Sequence, residues 1–459
     1  MLLAERKFLH VVKCYISLMQ SYQEFFLGKK ITLMGLGLLG RGVGDAAFLA
    51  ECGAQLTVTD TKTEAELAES IQRLTQYTNI TFHLGGHLKD DFTSADMVIK
   101  AAGVPLDSPE IAAARDAGVQ VMMSTALFAK FAIETGAIVF GVTGTRGKST
   151  VAHMIHWAFS ETADPATVHI GGNVRGISTL AMLPRIKKGD TIVLELDSWQ
   201  LQGFGDLKTS PHVAVFTNLM PDHQNYYKNM DEYFADKANI FRYQKPGNAL
   251  VVGESIREKI LAADPPVAPL PFKSLPKDLV LEIPGEHNRE NAALARMALS
   301  AHIEEPEIWA SLRSFQGVEG RLQFVREVEG IKIYNDNNAT TPEATIAALK
   351  ALGFNITLIA GGSEKGLDLH ALVSEIKKTV SHLIVLIHPN YKGSERLLGE
   401  LQEANVPFEE AVSLQEAVNC SLEGKPKGPI IFSPAFASFG MFKNEYDRND
   451  QFLRIINTL

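Results

Sequence analysis

Short apolar runs, each closed by glycine or a polar residue, alternate along this chain with stretches whose apolar positions recur at helical spacing. Runs at 30–34, 55–59, 97–99 and 119–121 predict the strands of a first small doubly wound sheet. Runs at 137–140, 191–195 and 212–218 predict a second α/β region, with helices over 151–157 and 231–241. Near Gly317-Val318-Glu319-Gly320 the pattern restarts, and runs at 331–334, 356–359, 383–387 and 430–432 predict a third doubly wound sheet. The expected fold class is α/β in three domains, divided at 1–120, 121–316 and 317–459. Residues 1–28 carry Arg6, Lys7 and Lys13, and their apolar stretch is broken by polar residues. They read as an amphipathic helix rather than a signal peptide.

Two glycine loops leave these strands. In the first region the strand at 30–34 runs into Gly35-Leu36-Gly37-Leu38-Leu39-Gly40, and Asp60 ends the next strand 20 residues after Gly40. Alone, this pattern fits a dinucleotide-binding βαβ unit, and equally a structural turn. The second loop is Gly141-Val142-Thr143-Gly144-Thr145-Arg146-Gly147-Lys148-Ser149-Thr150, set between a strand and a helix. Backbone N–H groups of such a loop, with the positive end of the helix, cradle phosphate oxygens. The lysine adds a charge and the serine hydroxyl reaches magnesium. A nucleoside triphosphate is therefore expected.

Ligands of open α/β sheets bind beyond the carboxyl ends of the strands, so Glu195 and Asn218 should point toward that triphosphate. Asp222-His223 offers a carboxylate and an imidazole nearby, although magnesium takes oxygen ligands by preference. His223 by itself could equally be a loop histidine without a metal, and Lys237 by itself a solvated lysine.

Composition narrows the choices. The 459 residues are 46% hydrophobic and 21% charged, enough for sizeable cores, and the net charge of −9 argues against sequence-independent nucleic-acid binding. The three cysteines have no paired spacing, so neither a disulfide framework nor a zinc cluster is supported. No apolar run reaches the roughly 18 residues of a membrane span. A cytoplasmic, monomeric protein is expected, with neither nucleic acid nor membrane as partner.

Further segments carry a specific resemblance. The loop at 141–149, Glu195 to Gln200, Asp222-His223 followed by Tyr233 and Lys237, Gly285-Glu286-His287-Asn288 with Asn291, and Gly320-Arg321 stand in the order found in the Mur ligases. These are ATP-dependent amino-acid ligases of peptidoglycan precursor synthesis. The segments at 335–340 and 433–444 resemble the glutamate-adding branch. The resemblance implies a Rossmann-like N-terminal domain, a central P-loop ATPase α/β domain and a C-terminal Rossmann-like α/β domain.

It also implies substrates and residue roles. UDP-N-acetylmuramoyl-L-alanine and glutamate, most simply D-glutamate, would be joined through an acyl phosphate. The first glycine loop becomes a UDP site: Leu38, Leu39, Asp60, Thr61, Lys62, Gly103, Asn173, Ser198 and Gln200 would line the UDP-substrate. ATP would be held by Gly144, Thr145, Arg146, Gly147, Lys148, Ser149, Thr150, His287, Asn288, Asn291, Arg321 and Asp336. Lys148, Lys237, His223 and Glu195 would be catalytic. Ser149 and Glu195 would hold one magnesium ion and His223 a second, with Lys237 carbamylated beside them. Asn338, Thr340, Lys365, Ser438, Phe439 and Tyr446 would face the amino acid, and closure of the third domain onto the second is expected to accompany turnover.

Three positions depart from the family pattern. Arg146 stands where asparagine is usual, Asp197 replaces a serine near the substrate phosphates, and Asn338 replaces a lysine. The last leaves L-glutamate open, as does the Thr340-Thr341-Pro342 continuation. A folylpolyglutamate-type ligase, an NAD-dependent oxidoreductase and a non-catalytic nucleotide-binding regulator are the competing readings.

Overall fold

The computed structural model describes residues 21–459 apart from Leu39, 223–225 and Lys365. The expectations for residues 1–20, Leu39, His223 and Lys365 therefore lie outside the described residues. The described residues form two compact units: 21–273 with 294–305, and 274–293 with 306–459.

The first unit holds two five-stranded sheets. One comprises β1 (Lys30–Met34), β2 (Gln55–Asp60), β3 (Ile80–Leu84), β4 (Met97–Lys100) and β5 (Gln120–Met122), in the order β3-β2-β1-β4-β5. The other comprises β6 (Ile138–Thr143), β7 (Val168–Gly172), β8 (Thr191–Glu195), β9 (Val213–Phe216) and β10 (Ala249–Val252), in the order β10-β9-β6-β8-β7. Every pairing in both sheets is parallel. Parallel strands are covered by helices on both faces, which is why β4 and β9 are buried at every position.

Strand order places the chemistry. The chain leaves β1 toward β2 and returns on the other side at β4, so the loop at Gly35 to Gly40 opens at a reversal of strand order. The loop after β6 opens at the equivalent place, between β8 and β9. Such reversals leave a crevice for ligands. One apolar cluster runs from Leu33 and Val58 of the first sheet to Val139 and Leu194 of the second. The short helix Tyr22–Phe26, opened by a Ser21/Glu24 capping box, adds Phe26 to it.

The second unit is built on β11 (Gln323–Val328), β12 (Ile331–Asn335), β13 (Ile356–Ala360), β14 (Val380–Leu386), β15 (Glu409–Ala411) and β16 (Ile430–Phe432). Their order is β11-β12-β16-β13-β14-β15, and only the edge pair β11 and β12 is antiparallel. Apolar clusters lie on its two faces, one around Leu358 and Leu383 and the other around Ile359 and Ile384. Because β16 lies between β12 and β13, the loops after β12 and β16 emerge side by side. The expected strands of the three sheets are all present, with β3, β7, β10, β11 and β15 in addition.

Candidate active site

The phosphate loop is held open by its backbone. Gly144 has φ of 141°, and a Cβ there would lie 2.0 Å from Thr217 Oγ1. Gly147, in the left-handed region at φ 81°, opens the helix Lys148–Thr162 with no capping side chain, so the first-turn N–H groups remain for an anion. The loop is braced from the end of β9: Thr145 N–H donates to the Asn218 carbonyl at 3.0 Å and Arg146 N–H to Asn218 Oδ1 at 2.9 Å. Thr217 Oγ1 and Asn218 Nδ2 both donate to the Arg146 carbonyl. Asn218 is thus spent on the loop rather than aimed at a triphosphate. Arg146 takes part through its backbone and its side chain is exposed, which explains why a residue other than asparagine is accommodated. Lys148 Nζ donates to the Thr145 carbonyl at 3.0 Å.

Lys237 enters beneath the loop from the helix Met230–Arg242. It is only 1% exposed, and its Nζ donates to the Gly144 carbonyl at 2.8 Å while lying 4.7 Å from the centre of the Tyr233 ring. Burial, and then the neighbouring Lys148, push its pKa down to about 7. Taken by itself in the sequence this residue reads as a solvated lysine; the structure makes it a buried amine under a phosphate loop. Ser149 is buried on the first turn of the same helix as Lys148. Glu195 ends β8 at 4% exposure, and its carboxylate makes no hydrogen bond or ion pair among the described residues. A buried carboxylate left without a protein partner fits a cation.

Asp197 has a structural task. It caps the helix Ser198–Asp206, accepting from Gln200 N–H at 2.7 Å, while Gln200 Oε1 accepts from Asp197 N–H at 3.2 Å. Gln200 Nε2 donates to Thr125, so much of that side chain is committed to the fold. The anion also has a counterweight that the sequence reading missed: Lys100, buried at the end of β4. Burial lowers the Lys100 pKa to about 8 against the opposing pull of Asp197. Its place directly after the apolar residues 97–99, at a strand end, was the available signal.

On the first sheet, Asp60 braces the glycine loop. Its Oδ2 accepts from Leu36 and Gly37 N–H, each at 3.0 Å, and its Oδ1 from Lys62 N–H. Leu38, Thr61 and Gly103 are exposed and Lys62 half-buried, while Ser198 is buried. A cavity of about 350 Å³ opens beside Lys62, lined by Thr63, Glu64, Ile71, Phe82, Leu84 and Gly85. Asn173 lies beyond β7, its N–H on the Glu195 carbonyl at 2.7 Å.

The second unit gathers its own set. Asn288 and Asn291 are buried one turn apart and joined at 3.3 Å, with Asn288 also donating to the Pro284 carbonyl; His287 beside them is exposed. Asp336, following β12, accepts from Leu322 N–H at 3.0 Å and Ser433 Oγ at 2.8 Å, and burial raises its pKa to about 7. Arg321 is exposed nearby in sequence. Asn338 donates to the Glu319 carbonyl at 3.4 Å, and Thr340 N–H to the Asn338 carbonyl at 3.0 Å.

Ser438 is 1% exposed and its hydroxyl has no partner among the described residues. Phe439 next to it is exposed, and Tyr446 lies in the first turn of the helix Glu445–Asn457. Arg448, on that helix, was not anticipated. Fully buried, it donates to Asn337 Oδ1 and the Asn337 carbonyl at 2.8 Å each and to the Phe436 carbonyl at 3.2 Å.

Among the described residues no helix is long and apolar enough to cross a membrane. Comparison with known proteins agrees with the geometry. The MurD-like N-terminal domain of Mur ligases matches residues 29–123, the Mur ligase middle domain 142–266, and the Mur ligase glutamate ligase domain 320–436. The UDP-N-acetylmuramoylalanine–D-glutamate ligase of Roseiflexus sp. is 34% identical, over 94% of this chain and 99% of its own length. That of Borreliella afzelii is 32% identical, over 93% and 97%. The solved UDP-N-acetylmuramate-alanine ligase of Thermotoga maritima has the same fold, with a TM-score of 0.57 at 18% identity over 94% of this chain and 99% of its own. The MurF ligase of the same organism gives 0.53 at 16%, over 88% and 94%. Phosphate loop, strand-end carboxylate and buried lysine accordingly sit in a chain that belongs to the Mur ligase family.

Proposed function

We propose that this protein is an ATP-dependent ligase that forms an amide bond between D-glutamate and UDP-N-acetylmuramoyl-L-alanine in peptidoglycan precursor synthesis. The observation that carries the reading is that Lys148 and Lys237 are both bonded to carbonyls of one phosphate loop, with Glu195 paired to Val142 at the end of the neighbouring strand. Relatives bearing that activity as their name align over more than nine-tenths of the chain.

The chemistry follows from what a carboxylate lacks as an electrophile. An oxygen of the substrate carboxylate attacks the γ-phosphorus of ATP, giving an acyl phosphate and ADP. The glutamate nitrogen then attacks the acyl carbon, loses a proton, and inorganic phosphate leaves as the amide forms. Both steps gather negative charge on oxygen. Lys148 and the N–H groups from Gly147 to Ser149 are the donors that would hold that charge, those of Thr145 and Arg146 being given to Asn218. Glu195 and Ser149 fit one magnesium ion, with His223 and a carbamate on Lys237 proposed for a second; bound magnesium would neutralise phosphate oxygens.

The cavity beside Lys62 supports a base-binding role for the first sheet, and Gly144 to Thr150 support ATP. His287, Asn288, Asn291, Arg321 and Asp336 are proposed for ATP from the second unit, and Ser438, Phe439, Tyr446, Asn338 and Thr340 for glutamate. The orphaned Ser438 hydroxyl supports the last assignment.

Phosphate release decides the matter. It should require ATP, UDP-N-acetylmuramoyl-L-alanine and glutamate together, with D- and L-glutamate compared side by side. Turnover with L-glutamate alone corrects the stereochemistry, and release from ATP without either co-substrate overturns the assignment.

A further inference from the structure

The helix Arg41–Glu51, which leaves the first glycine loop, presents three neighbouring positions to the segment that follows β7. Arg41 donates from Nε and one terminal nitrogen to the Val174 carbonyl at 3.2 and 2.9 Å, and from the other to Asn173 Oδ1 at 3.2 Å. One turn later the buried Asp45 accepts from Ser178 Oγ at 2.6 Å. Between them, Gly44 lets the helix approach closely: a Cβ at that position would lie 2.5 Å from the Ser178 Cβ.

A guanidinium has donors only. The end of the Asn173 carboxamide facing Arg41 must therefore be its oxygen, which turns the NH2 away. That NH2 has no partner among the described residues, and the Asn173 N–H is fixed to the Glu195 carbonyl.

We infer that Arg41 is a positioning residue: it fixes the Asn173 carboxamide with its NH2 presented to an oxygen of the nucleotide-sugar substrate. The inference rests on the substrate reading given above. Arg41 follows the glycine loop directly and Asn173 is bonded to Glu195. The same strut thus links the loop proposed for UDP to the residue proposed for the cation.

The test uses UDP-N-acetylmuramoyl-L-alanine binding by calorimetry together with steady-state kinetics. Arg41→Met should raise both the Kd and the KM for this substrate about 10-fold, as expected for loss of a charge-assisted contact. The KM for ATP and the thermal midpoint should hardly move, a split that a merely structural role would not give. Arg41→Lys should fall between, and guards against misfolding of the methionine variant. Asn173→Asp keeps an acceptor for Arg41 but removes the donor, so it should bind as weakly as Asn173→Ala. In Asn173→Ala, adding Arg41→Met should cost nothing further. Wild-type binding by Asn173→Asp, or multiplying effects in the double variant, overturns the inference alone. Absence of binding by the wild-type protein overturns the substrate reading and this inference together.

Discussion

The Nζ of Lys237 donates to the carbonyl oxygen of Gly144 at 2.8 Å, so a buried amine pins the first glycine past β6. Lys237→Met keeps the apolar stem and removes the nitrogen. Phosphate release should fall by about 100-fold or more, the scale of losing an electrostatic contact in a preorganised site. Thermal stability should change little, because the variant no longer buries a nitrogen at the expense of its hydration. A variant with wild-type rate would remove Lys237 from the mechanism.

Gly144 supplies a separate test of the loop. Gly144→Ala meets both the 2.0 Å overlap with Thr217 Oγ1 and a φ of 141°. It should lower stability by about 1–3 kcal/mol and abolish the thermal shift given by ATP. Adding Thr217→Ala removes the overlap and leaves the backbone strained, so urea denaturation should recover only part of the loss.

Asp336 sets a pH dependence. Its folded pKa of about 7 lies above the ordinary carboxylate value of about 4, chiefly through burial. Its contribution is present in full below about pH 4 and is lost as pH rises through about 7. Asp336→Asn can keep its oxygen on Leu322 N–H and donate to Ser433 Oγ, which itself reaches Thr345 Oγ1 at 2.9 Å. Between about pH 5 and about pH 8 the urea midpoint of the wild-type protein should therefore drop more than that of Asp336→Asn. Parallel curves would show that the carboxyl is not titrating in that window.

Ser438 is expected to separate binding from stability. Its hydroxyl is buried without a partner among the described residues, an arrangement that costs free energy unless a ligand completes it. Ser438→Ala should leave the melting temperature unchanged or slightly raised, while the KM for glutamate rises about 3- to 30-fold. A lower melting temperature with unchanged KM would assign the residue to the fold alone.

The sheets were legible because parallel strands buried on both faces are written as continuous apolar runs: β1, β6, β8 and β13 could be read directly. The edge strand β11 was not, since its residues are mostly half-exposed and mix Arg326 and Glu327 with apolar neighbours. The phosphate loop announced itself through glycine spacing, a property of local backbone. Asp60 was legible as a strand-end carboxylate but not as the acceptor for Leu36 and Gly37, because that contact belongs to the folded loop. Lys100, Arg41 and Arg448 carry charges that read as solvated in any local window. Only the packing of distant segments buries Lys100 and Arg448 and turns Arg41 onto Val174.

Arg448 has one more consequence. Among the described residues its hydrogen bonds go to an amide and two backbone carbonyls, and burial lowers its pKa only to about 10. Dissolved ions screen attraction between exposed charges, such as Lys259 and Asp231 at 2.7 Å, but have little hold on a sealed guanidinium facing dipoles. The C-terminal helix is in this sense fastened by a brine-proof rivet. In concentrated electrolyte the surface pairs should loosen first, while Asn337 and Phe436 keep their places beside the loops after β12 and β16.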